Sequence, residues 1–493
     1  MPTSIKSMAD AVVHRGPDDE GYALFNGRGV MEASGPDTGP CEPDSARRIP
    51  PGIETIINEP FLGAFGHRRL AILDTSYRGH QPMSLRGRYW ITYNGEVFNY
   101  LELRKELQYS GYVFDSATDT EVVLAAYDKW GPECVTRFNG MWAFAVYDAA
   151  TRRLFMSRDR FGIKPLYYRI SGRRFAFASE IKALLRLDWS PVAPDEAYCR
   201  DYLLLGPNEF GRQTAFTGIR RFPHACYHEG PIEDLATNGV TPIEYWHLSP
   251  NTSNEKYCER AAQVYAGEYL SLLSDAVRLR LRADVKVGTA LSGGLDSSSI
   301  VFLAAQHSGD SELLETFSNV YTTAGTTHCD ESGYIKELAD FLHVRSNTVE
   351  PHISEIPDQH RLMIYAMENP AVGPNMGGWY TFKRIAKSDV VINLDGQGAD
   401  EQLGGYHSFV WRYITNMRFD DAVRELLAFS TTRGVNKRKL VGSLGMNLAR
   451  RAVPPHIIDR LVRRTSSGPS CFPVIGPLNC RLVEAMDTNL VNL

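Results

Sequence analysis

Leu291-Ser-Gly-Gly-Leu-Asp-Ser-Ser298 is the stretch on which the fold of this chain turns. It follows an apolar run with strand character, Val287–Leu291, and opens a helix-compatible run, Ser297–Gln306. Glycines let backbone N–H groups approach an anion closely, and a helix N-terminus adds positive potential. Ser292, Ser297 and Ser298 add hydroxyls around Gly293 and Gly294. No lysine accompanies the loop, so it is not a Walker A loop. Asp296 beside a phosphate is costly unless it holds a cation, and Mg²⁺ bound by a carboxylate and phosphate oxygens fits. The pattern predicts a phosphate group at this loop, with Leu291 to Ser298 around it. As a bare glycine-serine turn it would only cap a helix; position and the embedded aspartate favour phosphate binding.

Working outward, further strand candidates are Glu315–Tyr321, Val344–Glu350 and Val390–Leu394, and further helices fit Glu331–Leu342, Ser354–Glu368 and Tyr380–Lys387. Strand–helix alternation predicts a parallel sheet with helices on both faces and ligands at the strands' carboxyl ends. A second loop, Asp395-Gly-Gln-Gly-Ala-Asp-Glu401, follows the last of these strands. Asp400 is the carboxylate expected to share a metal with Asp296. Before this region, Tyr269, Leu272, Leu273, Ala276 and Val277 share one helical face.

The first part reads differently. Short strands at Gly63–Ile72, Trp142–Tyr147, Leu154–Ser157 and Phe175–Ala178 surround helices at Leu101–Gln108 and after Thr120. That is a mixed α+β domain. Ala33–Gly52 is dense in Pro, Gly, Asp and Ser and predicts an exposed loop with Cys41 as a spacer thiol. Pro191 to Glu255 reads as irregular and connecting. The domains expected are 1–205, a connecting segment 206–255, and 256–493.

With 493 residues, more than one domain is expected. Apolar content of 43% and charged content of 23% fit a soluble globular protein. A net charge of −5 argues against general nucleic-acid binding. No apolar run reaches a membrane span, and the first residues lack a signal peptide's apolar core. Eight cysteines without CxxC spacing make neither a disulfide framework nor a zinc site. The expected location is the cytoplasm.

The loops Ser292–Ser298 and Asp395–Tyr406 resemble those of the glutamine-dependent asparagine synthetases, whose first loop is similar to that of the wider ATP pyrophosphatase group. The resemblance extends to His14-Arg-Gly-Pro-Asp-Asp-Glu-Gly21, Gly66-His-Arg-Arg-Leu-Ala-Ile72, Gln81-Pro-Met83 and Tyr93-Asn-Gly-Glu-Val-Phe-Asn-Tyr100. It continues through Asp119-Thr-Glu121, Phe138-Asn-Gly-Met141, Arg158-Asp-Arg-Phe-Gly-Ile-Lys-Pro-Leu-Tyr-Tyr168 and Ala178-Ser-Glu-Ile-Lys-Ala-Leu184. It implies an αββα sandwich of the N-terminal-nucleophile type, a class II glutamine amidotransferase domain, followed by the parallel-sheet synthetase domain. In the first domain it implies glutamine hydrolysis. Arg69 matches the carboxylate ligand, Asp119 the partner of the amino group, and Asn94 with Gly95 the oxyanion hole. Leu70, Ala71, Ile72, Leu73 and Glu96 complete the implied glutamine site. In the second it implies adenylation of the β-carboxylate of aspartate by ATP and attack by ammonia carried internally. Leu291 and Ser318, Asn319 and Val320 match the adenine pocket, and Asp395 and Gly396 a segment near the nucleotide. A homodimer is also implied, although no interface is legible in the sequence.

Two departures stand out. The family's nucleophile is an N-terminal cysteine, whereas this chain begins Met1-Pro2 and its first cysteine is Cys41. As written, it is not expected to hydrolyse glutamine by the family mechanism; a start assigned too far downstream is the plain explanation, and an enzyme that uses free ammonia is the alternative. The family's carboxyl-terminal helical segment, with its catalytic lysine, has no counterpart before Leu493, and Gln397 stands where one branch has glutamate. Two further readings follow: a relative that amidates or cyclises another carboxylate through an acyl-adenylate, and a non-catalytic remnant.

Overall fold

The structure, a computed structural model, describes residues 2–26, 29–40, 49–56, 61–205, 211–249, 258–309, 314–323, 325–369, 376–404 and 419–432. The chain divides into two compact units, 1–395 and 396–493.

In the first unit, α1 (Pro2–Asp10) precedes β1 (Asp19–Asn26), β2 (Gly29–Ser34), β3 (Gly63–Arg69), β4 (Met83–Leu85) and β5 (Tyr89–Val97). Then come α2 (Tyr100–Tyr109), α3 (Asp119–Trp130), α4 (Cys134–Arg137), β6 (Gly140–Asp148), β7 (Arg153–Arg158), β8 (Tyr167–Ser171) and β9 (Arg174–Ala178). The run closes with α5 (Ile181–Leu185), α6 (Glu196–Leu205), β10 (Ile219–Arg221), β11 (Cys226–Pro231) and β12 (Ile243–Glu244). They build a six-stranded sheet, β12-β11-β7-β6-β5-β4, and two three-stranded sheets, β2-β1-β3 and β10-β8-β9.

The period-2 alternation of the strands dictates four layers. On β6, Trp142, Phe144 and Val146 join Leu103 and Leu107 of α2 and Val122, Val123 and Ala126 of α3. The alternate residues Ala143, Ala145 and Tyr147 meet Ala23, Phe25 and Phe65 of the facing sheet. On β1, Tyr22 and Leu24 point away from that interface and pack with Ala9 of α1. Met8 of α1 packs with Ala183 and Leu184 of α5. The result is an αββα sandwich. The stretch read as irregular connection, 206–255, instead contributes β10, β11 and β12, so the sheets extend to Glu244. Its strands are short and rich in charged residues, which hides their alternation.

The rest of this unit is α7 (Glu259–Arg280), β13 (Val287–Ala290), α8 (Leu295–Ser308), β14 (Glu315–Asn319), α9 (Ser332–Leu342), β15 (Arg345–Val349), α10 (Ile356–Met367), α11 (Met376–Ile385) and β16 (Ile392–Leu394). All pairings in the sheet β15-β14-β13-β16 are parallel, as the alternation predicted. The chain adds strands on one side of β13 as far as β15, then returns to the other side as β16. The strand order therefore reverses between β13 and β16, where open α/β sheets bind ligands. One apolar cluster ties Val277, Val301, Ala304, Ile335 and Ala339 of α7, α8 and α9 to the sheet. Others bind α11 through Phe317, Ile385 and Val390, and α10 through Met363 and Tyr380.

Within this unit the sheet abuts the sandwich through polar contacts. Arg282 donates to Glu102 at 2.6 and 2.8 Å and to the Phe98 carbonyl at 2.7 Å. The Asp284 N–H reaches the Ile72 carbonyl at 3.0 Å, and Asp284 Oδ2 accepts from the Asp74 N–H at 2.7 Å. The guanidinium holds the Glu102 pKa down to about 2. Its stabilisation is therefore complete above the ordinary value of 4.5 and is lost as pH falls through about 2. Glu102 is half exposed, so the pair is worth only ~1 kcal/mol after screening. Glu102→Gln is expected to lower stability by that amount at pH 7, with the difference from the parent gone by pH 2. A urea titration at both pH values checks this; an unchanged gap at pH 2 refutes it.

In the second unit, the described elements are α12 (Ala399–Leu403) and a helix, α13 (Phe419–Thr432). The basic stretch 433–439 and the remaining tail lie outside the described residues, as does Cys41.

Candidate functional sites

A cavity of about 740 Å³ opens between the layers of the sandwich. Arg69, Leu70, Ile72, Leu73, Asn94, Gly95, Glu96 and Asp119 all line it. Ala71 does not; its N–H is held by Asp18 Oδ2 at 2.8 Å, which shapes the turn after β3.

Arg69 ends β3 and is buried. Its fork donates to the carbonyls of Ser76 (2.8 Å), Leu73 (3.2 Å) and Asp74, and burial lowers its pKa. The guanidinium thus fixes the 73–76 loop as well as facing the cavity. A side chain at Gly79 would overlap it. Asp119 starts α3, whose first turn is capped by Thr118 accepting from the Glu121 N–H. Asp119 Oδ2 accepts from Tyr93 Oη at 2.7 Å and the Val97 N–H at 2.9 Å. Burial raises Asp119 to about 6, and burial with the nearby Asp119 charge raises Glu96 well above the carboxylate range. Asn94 Nδ2 lies 3.4 Å from Ser179 Oγ. Gly95 faces Trp142 on β6, where a Cβ would sit 2.8 Å from the Trp142 Cα and 2.7 Å from the Tyr93 ring. Only glycine fits there.

His14 and His67, which lie in two of the matched segments, are each held by a side-chain hydrogen bond. His14 Nε2 lies 3.0 Å from Glu180. His67 Nδ1 lies 3.1 Å from Thr92 Oγ1, and burial pushes its pKa down to about 3, so its ring is neutral. Lys164, which the sequence does not mark as functional, lines the cavity with its pKa lowered by burial. Asp159 positions it by accepting the N–H groups of Phe161, Ile163 and Lys164, each at 3.0 Å. Its only sequence signal is its place in the matched segment Arg158–Tyr168. Among the described residues, no cysteine lines the cavity.

The second site is the carboxyl edge of the parallel sheet. Leu291 is buried, and its N–H donates to Phe317 O at 3.0 Å, continuing the ladder. Gly293 turns the loop with φ +84, and Gly294 begins α8 with no side-chain cap. Ser297 Oγ accepts from the Ser292 N–H at 3.1 Å and lies 2.9 Å from Ser292 Oγ, tying the loop into a closed turn. Asp296 lies in the helix's first turn, beside Ser298. Val320 follows β14 and bonds Val349 O at 3.0 Å. Asn319 Nδ2 donates to Gly377 O at 2.8 Å and to Thr381 Oγ1 at 2.6 Å, which fixes the amide. Asn319 Oδ1 and Ser318 Oγ are buried with no partner. Asp395 follows β16, the neighbour of β13. Gly396 and Asp400 belong to the second unit, where the Gly396 carbonyl accepts from the Ala399 N–H at 3.4 Å and Asp400 opens α12. Among the described residues no three His, Cys, Asp or Glu side chains come together as a metal cluster. No described helix is long and apolar enough to cross a membrane.

The glutamine amidotransferase domain family matches residues 50–246, and the asparagine synthase family residues 268–468. A putative glutamine-hydrolysing asparagine synthetase of Methanocaldococcus jannaschii is 31% identical, the alignment covering 92% of this chain and 82% of the relative. The chain belongs to the glutamine-hydrolysing asparagine synthetase family. A second asparagine synthetase, from Bacillus subtilis, is 32% identical over 77% of this chain and 62% of its own length. A protein named Amidase chry2, of Gibberella zeae, is 28% identical over 70% of this chain and 51% of that protein. The chain thus spans between half and four-fifths of these relatives' length. Among solved structures, a glutamine phosphoribosylpyrophosphate amidotransferase of Bacillus subtilis aligns at TM-score 0.34 and 16% identity, covering 63% of this chain and 62% of that one.

Proposed function

We propose that this synthetase-family chain makes an amide from a carboxylate, ATP and ammonia, with aspartate as acceptor and asparagine as product. The observation that carries the reading is the glycine-serine loop at the point where strand order reverses, flanked by the unpartnered Ser318 Oγ and Asn319 Oδ1. Those two atoms suit the polar edge of a nucleobase, and the N–H groups of Gly293 and Gly294 suit phosphate oxygens. Mg²⁺, held at Asp296, would neutralise phosphate charge. A carboxylate oxygen of aspartate attacks the α-phosphorus of ATP, and pyrophosphate leaves. Ammonia then attacks the acyl carbon; AMP departs and one proton is released.

In the cavity, we assign Arg69 to the α-carboxylate of glutamine, Asp119 to its ammonium, and Asn94 with the Gly95 N–H to an oxyanion. Phe382 of α11 lines the same cavity, which supports passage of ammonia from the sandwich towards the synthetase sheet. Ammonium recognition needs Asp119 ionised. Glutamine affinity is therefore expected to be flat above pH 7 and to fall about tenfold per pH unit below 6. Calorimetric titration with glutamine at pH 5, 6 and 7.5 checks this, and equal affinity at all three refutes it.

The central test is pyrophosphate and AMP release with ATP, Mg²⁺ and aspartate, once with ammonium and once with glutamine, the product identified by mass. Asparagine from either nitrogen source supports the reading. ATP binding without pyrophosphate release on aspartate, but with release on another carboxylate, would move the acceptor and keep the chemistry.

A further inference from the structure

We propose that Glu368, at the end of α10 beside the parallel sheet, is a positioning residue for the glutamine cavity: through the segment 179–182 it sets the orientation of the Asn94 amide. The inference rests on the reading of Asn94 as an oxyanion donor. The first N–H groups of a helix have no partner within it, and a Ser, Thr, Asp or Asn just before the helix ordinarily supplies one. α5 has Glu180 at that place, and its side chain makes no cap. Glu180 is turned onto basic side chains instead. It lies 3.0 Å from His14 Nε2, accepts from Arg15 at 3.0 Å and accepts from Lys182.

A carboxylate from far along the chain takes the N–H groups that Glu180 leaves. Glu368 Oε2 accepts from the Ile181 N–H and Oε1 from the Lys182 N–H, each at 2.6 Å. Lys182 Nζ also lies 3.1 Å from Glu368 Oε1, so one ammonium joins both carboxylates. The Glu368 side chain is 8% exposed, which leaves little water to replace it. Its backbone shows that the side chain is what the position requires. Glu368 closes α10 with φ +56, its N–H donating to the Ile364 carbonyl at 2.9 Å. Glycine or asparagine is the usual residue in that left-handed conformation. The next residue is held as well: Tyr198 Oη of α6 donates to Asn369 Oδ1 at 2.8 Å. The end of α10 is thus fixed to α5 and α6 at successive positions.

The other side of the same segment faces the cavity. Ser179, His14 and Arg15 line it together with Asn94. Asn94 Nδ2 donates to Ser179 Oγ at 3.4 Å. Pairing of β5 with β6 fixes the Asn94 backbone opposite Ala143, but it leaves the amide free to turn about its side-chain bonds. Among the described residues Ser179 is the side-chain partner that holds it. Ser179 stands two residues before Ile181, whose N–H is tied to Glu368. Releasing that tie lets the start of α5 unwind, and Ser179 Oγ moves with it. A donor for a developing oxyanion works only when its direction is set in advance. Glu368 never reaches the ligand; it acts on the cavity through Ser179.

Calorimetric titration of the full chain with glutamine tests this, with ATP and Mg²⁺ as the control ligand. Glu368→Ala and Ser179→Ala are each expected to weaken glutamine roughly fivefold, the worth of one hydrogen bond, and to leave ATP affinity unchanged. The double variant should be no weaker than either single one, because both act through one contact. Glu368→Gln keeps one acceptor oxygen and should fall between the parent and the alanine variant; it takes the alanine variant's place in the cycle if that variant does not fold. A measurement without ligand runs beside these. In a chain carrying isotope-labelled asparagine, the Asn94 side-chain amide signal is assigned by its loss in Asn94→Ala. That signal should shift in the Glu368 and Ser179 variants alike. Additive losses in the double variant, an equal loss of ATP affinity, or an unmoved Asn94 signal overturns the proposal. No glutamine binding by the parent would remove the glutamine reading, and the amide signal would then decide the positioning by itself.

Discussion

Asp159→Ala is expected to destabilise the first unit by about 3–5 kcal/mol, because it strands four backbone donors at once, one of them buried and three half-buried. Asp159 is 1% exposed. Oδ1 accepts from Phe161 and Ile163, and Oδ2 from Lys164 at 3.0 Å and Trp142 at 3.2 Å. Trp142 is itself fully buried against the helices of the sandwich, so the carboxylate ties the loop to the central sheet. Asparagine is a poor rescue. Its oxygen serves two of these donors, while its NH₂ confronts the other two with donors of its own. Urea unfolding of the parent, Asp159→Ala and Asp159→Asn gives the comparison. A loss under about 1 kcal/mol for the alanine variant would show that water replaces the carboxylate. Loosening this loop also frees Lys164, so the cavity should lose its order together with the stability.

Gly293→Val is expected to weaken ATP binding roughly ten- to thirtyfold, whereas Gly294→Ala should change it far less. Gly293 has φ +84, a region that costs an L-residue ~1–2 kcal/mol and a β-branched one more. A Cβ there would also meet the Glu331 and Tyr334 Cβ atoms at 3.2 and 3.3 Å. The loop can relieve both only by moving its N–H groups. Gly294 has φ −74, and the nearest atom to a Cβ is Ser292 Oγ at 3.4 Å. Titration with ATP and Mg²⁺, beside pyrophosphate release, tests the pair. Equal losses in both variants would mean that the loop does not cradle the phosphates. Normal affinity in Gly293→Val would remove the loop from the nucleotide altogether.

The sequence alone determined the local pieces. Strand–helix alternation after residue 280 gave a parallel sheet because period and turn residues are written in contiguous stretches. The loop Leu291–Ser298 was legible for the same reason: glycine, serine and aspartate act within eight neighbouring residues. What required the tertiary structure was everything set by pairing at long range. β1 and β5 were not read as strands, and β10 to β12 were read as connection. Their sheet partners lie far along the chain, and pairing overrode weak local alternation. The order β15-β14-β13-β16, and hence the position of the strand reversal beside Leu291, follows only from crossovers. Lys164 carries no local mark of function; its lowered pKa comes from burial, which is a property of the assembled layers.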